Sequence, residues 1–230
     1  PGTLPAGKGR GAAYCGSTDV AVTHYDSPYV SAYPWTPGSG FGAKYSDPGT
    51  LPAGDGLGVA FCGSTDVAVA HAITPLVSAY PWTPGSGFGA KYSDPGTLPA
   101  DAGLGVAFCG STDVAVGHVN SPFVSAYPWT PGSGFGTKYS DPGTLPAGAG
   151  YGVAFCGSTD VAVAHAFTPH VSAYPWTPGS GFGAKYSDPD TPPPHDGKGV
   201  AFMQVEYTPP VGLENKSANM AAKMIAGKLI

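Results

Sequence analysis

Three features of the sequence predict an all-β fold of four-stranded sheets arranged in tandem. First, PGTLPA recurs every 47 residues, at Pro1, Pro48, Pro95 and Pro142, and a divergent PDTPPP begins at Pro189. Second, every unit contains four short runs of strand-forming residues separated by Gly, Pro and Ser. Third, no segment of the repeats has helical periodicity. Repeats of about 40–50 residues with four strands are typical of β-propeller blades, which bury their faces against neighbouring blades.

The repeat also sets the expected domain boundaries. We predict β-propeller units at residues 1–47, 48–94, 95–141 and 142–188, and a partial fifth unit at 189–207, with the repeats covering residues 1–202. Two forms of closure stay open at this point, namely a five-bladed ring or four blades with a shared fifth. A tandem β-solenoid is the competing fold, although its repeats are usually shorter.

The second unit illustrates the four strands of a blade. Residues 58–61 and 66–71 are apolar runs on either side of a Gly-Ser-Thr turn, and each predicts a strand. A third strand is expected at 77–80, ending at Pro81 because proline cannot donate to a ladder. The weaker run 89–92 carries a lysine, as an outer edge strand should.

Composition excludes several classes of protein. The 36 Gly and 26 Pro would indicate disorder in a sequence without a period, but this sequence has one. Ten Lys plus Arg and a net charge of −5 argue against a nucleic-acid partner. No apolar run is long enough for a membrane span. No charged segment followed by an apolar stretch indicates a signal peptide, so the compartment is not determined.

The repeat unit resembles a known family. The segments GVAF, DVAVAH, VSAYPW and KYSDP of the second unit are similar to the highly repetitive WD40-like β-propeller repeats of bacteria and phages, over residues 1 to about 202. The unit departs from that pattern where CGSTD replaces an S-P-D-G turn and where Tyr80-Pro-Trp82 replaces a Trp-Asp dipeptide. The resemblance implies a binding platform without catalysis, and it favours an extracellular, surface or virion-associated setting.

Repeated polar residues give no catalytic or metal-binding pattern. One cysteine per unit (Cys15, Cys62, Cys109 and Cys156) lacks the C-x2-C spacing of zinc sites, so free and mostly buried thiols are expected. One histidine per unit follows an aspartate by five residues, a spacing that puts the two side chains on opposite faces of a strand. We therefore predict structural histidines, no metal, no cofactor and no enzymatic activity.

Differences among the units point to a partner-binding surface. They concentrate in the approach to the first strand and in the loop between the second and third strands, which lie at one end of an antiparallel blade. Large side chains exposed on loops often mark protein contacts. The predicted contact residues are Tyr25, Tyr29, Ile73, Leu76, Phe123, Phe167 and His170. Tolerated sequence drift is the alternative explanation.

Two further hypotheses concern sugars and self-association. Pockets between blades that hold several copies of one sugar would make the protein a multivalent lectin. Such pockets would be lined by Trp35, Trp82, Trp129 and Trp176, unless these are core residues. At the C terminus, residues 208–230 are expected to form a linker and an amphipathic helix that either packs on its own propeller or mediates assembly. Its apolar residues are Met220, Met224, Ile225 and Leu229.

Overall fold

A computed structural model describes residues 1–202 and shows four antiparallel sheets, each built from four consecutive strands. The first two sheets comprise β1 (Gly9–Cys15), β2 (Asp19–His24), β3 (Val30–Thr36), β4 (Gly40–Phe41), β5 (Gly56–Cys62), β6 (Asp66–His71), β7 (Val77–Thr83) and β8 (Gly87–Phe88). The last two comprise β9 (Gly103–Cys109), β10 (Asp113–His118), β11 (Val124–Thr130), β12 (Gly134–Phe135), β13 (Gly150–Cys156), β14 (Asp160–His165), β15 (Val171–Thr177) and β16 (Gly181–Phe182).

The all-β fold with one sheet per 47-residue repeat is confirmed, and residues 1–202 contain no helix. The third and fourth strands differ from the prediction. β7 continues through Pro81 to Thr83, and the short β8 pairs with it at residues 87–88 rather than at 89–92. The ladder passes the proline because the Pro81 carbonyl accepts from Gly89 N–H at 2.8 Å, while Trp82 N–H donates to Thr65 O at 2.7 Å.

The core lies between consecutive sheets. The apolar cluster at the boundary of the second and third sheets, for example, joins Val77 and Ala79 of β7 to Val114 of β10 and Trp129 of β11. The innermost strands β1, β5, β9 and β13 pack in succession. Glycines permit this close approach, since a Cβ built on Gly58 would lie 2.9 Å from Leu104 O. Each sheet is thus stabilised mainly by burial against its neighbours.

The described chain is an open arc. β1 and β13, the innermost strands of the first and last sheets, lack the packing that joins each consecutive pair. After β16, Gly197 N–H donates to His165 O at 3.1 Å, and a Cβ on Gly152 would lie 2.9 Å from Gly199 Cα. Residues 197–200 therefore lie against the fourth sheet where the first strand of a fifth unit belongs. The predicted C-terminal helix lies outside the described residues.

Candidate functional site

Both zones that vary among the units lie at the same end of each sheet, which we call the variable end. It comprises residues 54–57 and 72–76 and their equivalents in the other units. In the second unit, Ala72 N–H donates to Asp55 O at 3.1 Å, which ties the loop after β6 to the approach to β5. The same bond joins Val119 to Ala102 at 3.3 Å in the third unit.

Each loop of the variable end contains a tight turn around a cis-proline. In the second unit the Thr74–Pro75 bond is cis, Leu76 N–H donates to Ile73 O at 2.9 Å, and Leu76 has a φ of 74°. Tyr29, Phe123 and His170 occupy the same position with φ of 69°, 70° and 67°. Residues other than glycine seldom adopt this left-handed conformation, and all four units share it at the same loop position.

The loop tips expose some of the predicted contact residues but not all of them. Ile73 and Phe167 are 57% and 66% exposed. Leu76 is only 8% exposed, so its predicted role as a projecting contact residue is wrong. Tyr25, Tyr29, Phe123 and His170 are half-buried. Leu76 and its equivalents are covered because the backbone of the turn packs on the next sheet. The approach is so close that a Cβ atom added to Gly103 would lie 2.4 Å from Leu76 O.

Variable residues also contact one another. The Arg10 guanidinium lies over the Tyr25 ring, 4.3 Å from its centroid, and donates a hydrogen bond to the Tyr25 hydroxyl. At the other end of the arc, Lys198 lies 3.7 Å from the centroid of the Tyr151 ring. A cation over an aromatic face is a favourable contact. Arg10 and Lys198 are both exposed and both belong to the variable end. In the order of the units they stand on either side of the apolar loop tips Ile73 and Phe167.

Three of the four tryptophans proposed for sugar binding are core residues. Trp82, Trp129 and Trp176 are each 3% exposed, so of the two interpretations left open by the sequence they are core residues and do not line open pockets. Trp82 is buried because Phe61 and Phe88 of its own sheet and Tyr45 of the preceding unit pack around it, with centroids 5.1–5.4 Å away. Trp35 is half-exposed, since no preceding sheet covers it in the described structure.

The four repeated histidines are fully buried and neutral. His118 Nδ1–H donates to Asn120 O at 2.9 Å, so its Nε2 accepts from the Ser125 hydroxyl at 3.0 Å. His71 makes the same bond to Ser78 at 2.9 Å. Burial lowers the pKa of both His71 and His118 to about 4. These residues hold the second and third strands together and do not face a ligand site.

The cysteines are free, as predicted, and link neighbouring sheets. The Cys62 thiol donates to Gly110 O in the next hairpin at 3.3 Å, and Cys15 and Cys109 make the equivalent bond at 3.4 and 3.3 Å. Burial, assisted by the negative charge of Asp66, raises the pKa of the Cys62 thiol to about 11. At neutral pH such a thiol is almost entirely protonated, whereas the thiolate is the reactive form.

One set of residues that the sequence argument overlooked joins the sheets at their outer edge. Tyr92 follows β8, donates to Asp66 of its own sheet at 2.5 Å and packs on Trp129 of the next sheet, with centroids 5.5 Å apart. Tyr45 and Tyr139 repeat both contacts. Their presence in every KYSD segment was the available signal, but the segment was interpreted as an edge strand.

At the end opposite the variable loops, a shallow cleft of about 440 Å³ opens between the third and fourth sheets. Its walls are the hairpin turns after β9 and β13, and none of its lining residues is charged. Phe108 and Phe155 contribute aromatic side chains to its lining, while Ser111, Thr112 and Ser158 supply hydroxyl groups. The CGST turns are identical in all four units, so the chain carries the same turn chemistry at each boundary.

The described residues contain no group of three or more His, Cys, Asp or Glu side chains placed to hold a metal ion. Within residues 1–202 there is also no helix with the length and apolar character that crossing a bilayer requires.

Comparison of the fold with solved structures identifies its class. The four sheets are similar to the WD40 β-propeller domain of Doa1 (TM-score 0.52, 11% identity, 78% of this chain and 54% of that one). YCF48, solved with a D1 peptide bound, gives a TM-score of 0.51 at 10% identity over 78% of this chain and 54% of its own. A 6-phosphogluconolactonase-like protein of Bacteroides uniformis gives 0.52 at 14% identity over 75% and 54%.

The chain is therefore a propeller-like tandem array of four-stranded sheets. It spans about half the length of each of these structures. No protein-family profile and no curated protein matches its sequence. At these identities the likeness shows the fold alone.

Proposed function

We propose that the protein is a non-catalytic, structural protein-interaction module of a surface or virion-associated particle, and that it binds a protein partner through its variable end. The observation that carries this proposal is the contrast between the two ends of the sheets. The hairpin turns of one end are identical in all four units, whereas the other end varies among the units and exposes Ile73 and Phe167.

The chemistry of the variable end suits a protein surface. Ile73 and Phe167 are apolar and exposed at the tips of the loops, where a partner could cover them. Arg10 and Lys198 lie at the same end beside aromatic rings. Lys198 is also paired with Asp196 at 3.1 Å, so the rim of this end is polar and of mixed charge. An apolar centre with a polar rim is the usual composition of a protein–protein contact.

A crosslinking experiment tests the proposal. The purified chain carrying a photoreactive group at the exposed Asp26 is incubated with extract from its source, and crosslinked partners are identified by mass spectrometry. We expect Ile73→Ser combined with Phe167→Ser to reduce capture at least about tenfold, since exposed anchors carry most of the binding energy. Leu4→Ser is the matched control, because Leu4 is 69% exposed outside the variable loops. Equal capture by all three proteins would refute the proposal.

A second candidate function is multivalent binding of a neutral carbohydrate. The site would be the uncharged cleft beside the hairpin turns that are identical in all units, because the tryptophans are mostly buried. Aromatic rings beside hydroxyl groups suit a sugar ring, and repeated turns would add avidity. A glycan-array screen of the intact chain tests it. Binding that Ser111→Trp and Ser158→Trp remove would support this function, and an array without binding would reject it.

A further inference from the structure

The linkers that follow the sheets share one chemical feature that the proposed function does not use. An aspartate–proline bond stands at the same place in every unit. The four bonds are Asp47–Pro48, Asp94–Pro95, Asp141–Pro142 and Asp188–Pro189. All of them lie outside the strands, and all four aspartates are exposed. Because the spacing is constant, hydrolysis of these bonds would divide residues 1–188 into pieces of equal length.

An aspartate before a proline differs in its chemistry from any other aspartate. The usual side reaction of aspartate is attack by the backbone nitrogen of the next residue on the side-chain carboxyl group, which forms a succinimide and leaves the chain intact. This route needs an N–H on the next residue, and proline has none. The carboxylate can instead attack its own main-chain carbonyl carbon, since the two groups are held close together in one residue.

The reaction balances with water as the only co-reactant. A carboxylate oxygen forms a bond to the main-chain carbonyl carbon, and the bond from that carbon to the proline nitrogen breaks. The nitrogen keeps the electron pair of this bond, takes up a proton from solvent and leaves as the amine of a new N-terminal proline. Water then opens the cyclic anhydride to two carboxyl groups. Mild acid favours the cleavage because it supplies the proton to the departing nitrogen.

The structure leaves this reaction open at each of the four sites. Oδ1 of Asp94 accepts a hydrogen bond from the Lys91 ammonium, and Oδ2 has no partner among the described residues. The side chain is 44% exposed, so water reaches it. The main-chain carbonyl of Asp94 accepts no backbone hydrogen bond from residues 1–202. Asp47, Asp141 and Asp188 make the same lysine contact at similar exposure.

The other titratable groups around Asp94 do not replace its carboxylate. Burial lowers the pKa of His71 and raises that of Tyr80, and the charge of Asp94 acts on both. Lys138 of the third sheet lines a pocket with the linker residues that follow Pro95. In mild acid, Lys91, Lys138, His71 and Tyr80 are cationic or neutral. The nucleophile at this bond is therefore the Asp94 carboxylate itself.

We propose that the four Asp–Pro linkers are acid-triggered self-cleavage sites, and that the cut pieces stay assembled. The four strands of every sheet come from a single unit, so a cut in a linker removes no strand pairing. Contacts across a boundary, such as that of Tyr92 with Trp129, do not need a continuous backbone. The inference concerns the linkers and does not depend on the partner proposed for the variable end.

Incubation of the full chain at pH 4 over several days, followed by mass spectrometry under denaturing conditions, tests the proposal. We expect pieces that end at Asp47, Asp94, Asp141 and Asp188, with one water added for every cut. Other aspartates, such as Asp55 before Gly56, are controls in the same chain. Cleavage after them should be at least about tenfold slower, because the next nitrogen carries a proton and the succinimide route competes.

Two variants show whether the aspartate–proline pair is responsible. Asp94→Glu can still contact Lys91 but would have to close a larger ring, and Pro95→Ala restores the backbone N–H. Each should abolish cleavage after position 94 and leave the other three sites at the parental rate. An uncut chain would overturn self-cleavage, as would equal cleavage after Asp55 or a cut after position 94 in both variants.

Native mass spectrometry after return to neutral pH tests the second half of the proposal. The pieces that span residues 1–188 should appear together in one particle, although the same sample separates into those pieces under denaturing conditions. The untreated chain at 23.0 kDa is the reference. Separate pieces at neutral pH would overturn the claim that the array survives the cuts.

Discussion

Tyr92 and Trp129 meet edge to face across the boundary between the second and third sheets, with ring centroids 5.5 Å apart and planes at 83°. The Tyr92 hydroxyl also donates to the buried carboxylate of Asp66 at 2.5 Å. One side chain therefore couples the carboxylate of its own sheet to the indole of the next. Burial and the contact with Asp66 raise the pKa of the Tyr92 hydroxyl, so it remains a donor at all physiological pH values.

Replacing this tyrosine by phenylalanine should destabilise the array. In Tyr92→Phe the Asp66 carboxylate keeps its bond from Thr65 at 2.7 Å but loses the bond from the phenol. Loss of a hydrogen bond to a buried charged group costs about 1–3 kcal/mol. The free energy of unfolding, measured by urea denaturation, should fall by this amount. Tyr186→Phe is the control, because Tyr186 makes the same bond to Asp160 at the open edge. Equal losses in both variants would contradict this account.

A glycine at each sheet boundary should be intolerant of any side chain. A Cβ on Gly103 would lie 2.4 Å from the backbone oxygen of Leu76 in the preceding sheet, and backbone atoms there cannot move aside independently. We expect Gly103→Ala to lower the free energy of unfolding by roughly 1–3 kcal/mol, as overpacking does. Gly96→Ala is the matched control, since a Cβ there meets nothing within 4 Å. The midpoint of urea unfolding of Gly96→Ala should equal that of the parent chain or lie slightly above it.

The sequence predicted the parts of the fold that depend on periodicity. The 47-residue repeat, the four strands of each sheet and the common end of the variable zones all follow from local patterns. The side chain of Leu76 was expected to project, and that of Trp82 could not be assigned to core or pocket, because their burial depends on the neighbouring sheet, which a pattern within one unit does not describe. Continuation of β7 beyond Pro81 was missed for a similar reason. The backbone partners of that proline lie outside its own run of residues.

The roles of the polar residues were predicted only in part. The odd spacing of aspartate and histidine predicts that the two side chains do not pair, and in the second unit Asp66 binds Thr65 and Tyr92 whereas His71 binds Ser78. The single cysteine per unit correctly indicated free thiols. The bond from Cys15, Cys62 or Cys109 to the glycine 48 residues later could not be predicted without knowing how the sheets stack. The same limit applies to Tyr92, whose two partners lie 26 residues before it and 37 after it.

Reaction with a thiol reagent should separate the four cysteines. Cys15, Cys62 and Cys109 are buried, whereas Cys156 is half-buried at the open edge. Burial also raises the pKa of the three buried thiols, which lowers the fraction of reactive thiolate. At neutral pH, native protein should release one equivalent of thionitrobenzoate from Ellman's reagent quickly and the other three only on unfolding. Cys156→Ser should abolish the fast phase. A fast phase that survives this substitution would show that another thiol is accessible.

Protonation of the buried histidines should make the array sensitive to mild acid. The pKa values of His71 and His118 are about 4 in the folded chain, and both would be near 6.5 in the unfolded chain. Between these two values the unfolded state binds more protons, so the stability is fully present above pH 6.5 and falls as the pH is lowered towards 4. Each histidine contributes up to about 1.4 kcal/mol per pH unit in this range.

Urea denaturation at several pH values between 4 and 7 checks this prediction. In His118→Gln, about one proton fewer should be taken up on unfolding. The slope of the unfolding free energy against pH should therefore be shallower than in the parent chain, whatever the overall loss of stability. His195→Gln serves as the control, because it removes an imidazole at an exposed position. If His118→Gln kept the full slope of the parent chain, the histidines would not be the groups that take up protons on unfolding.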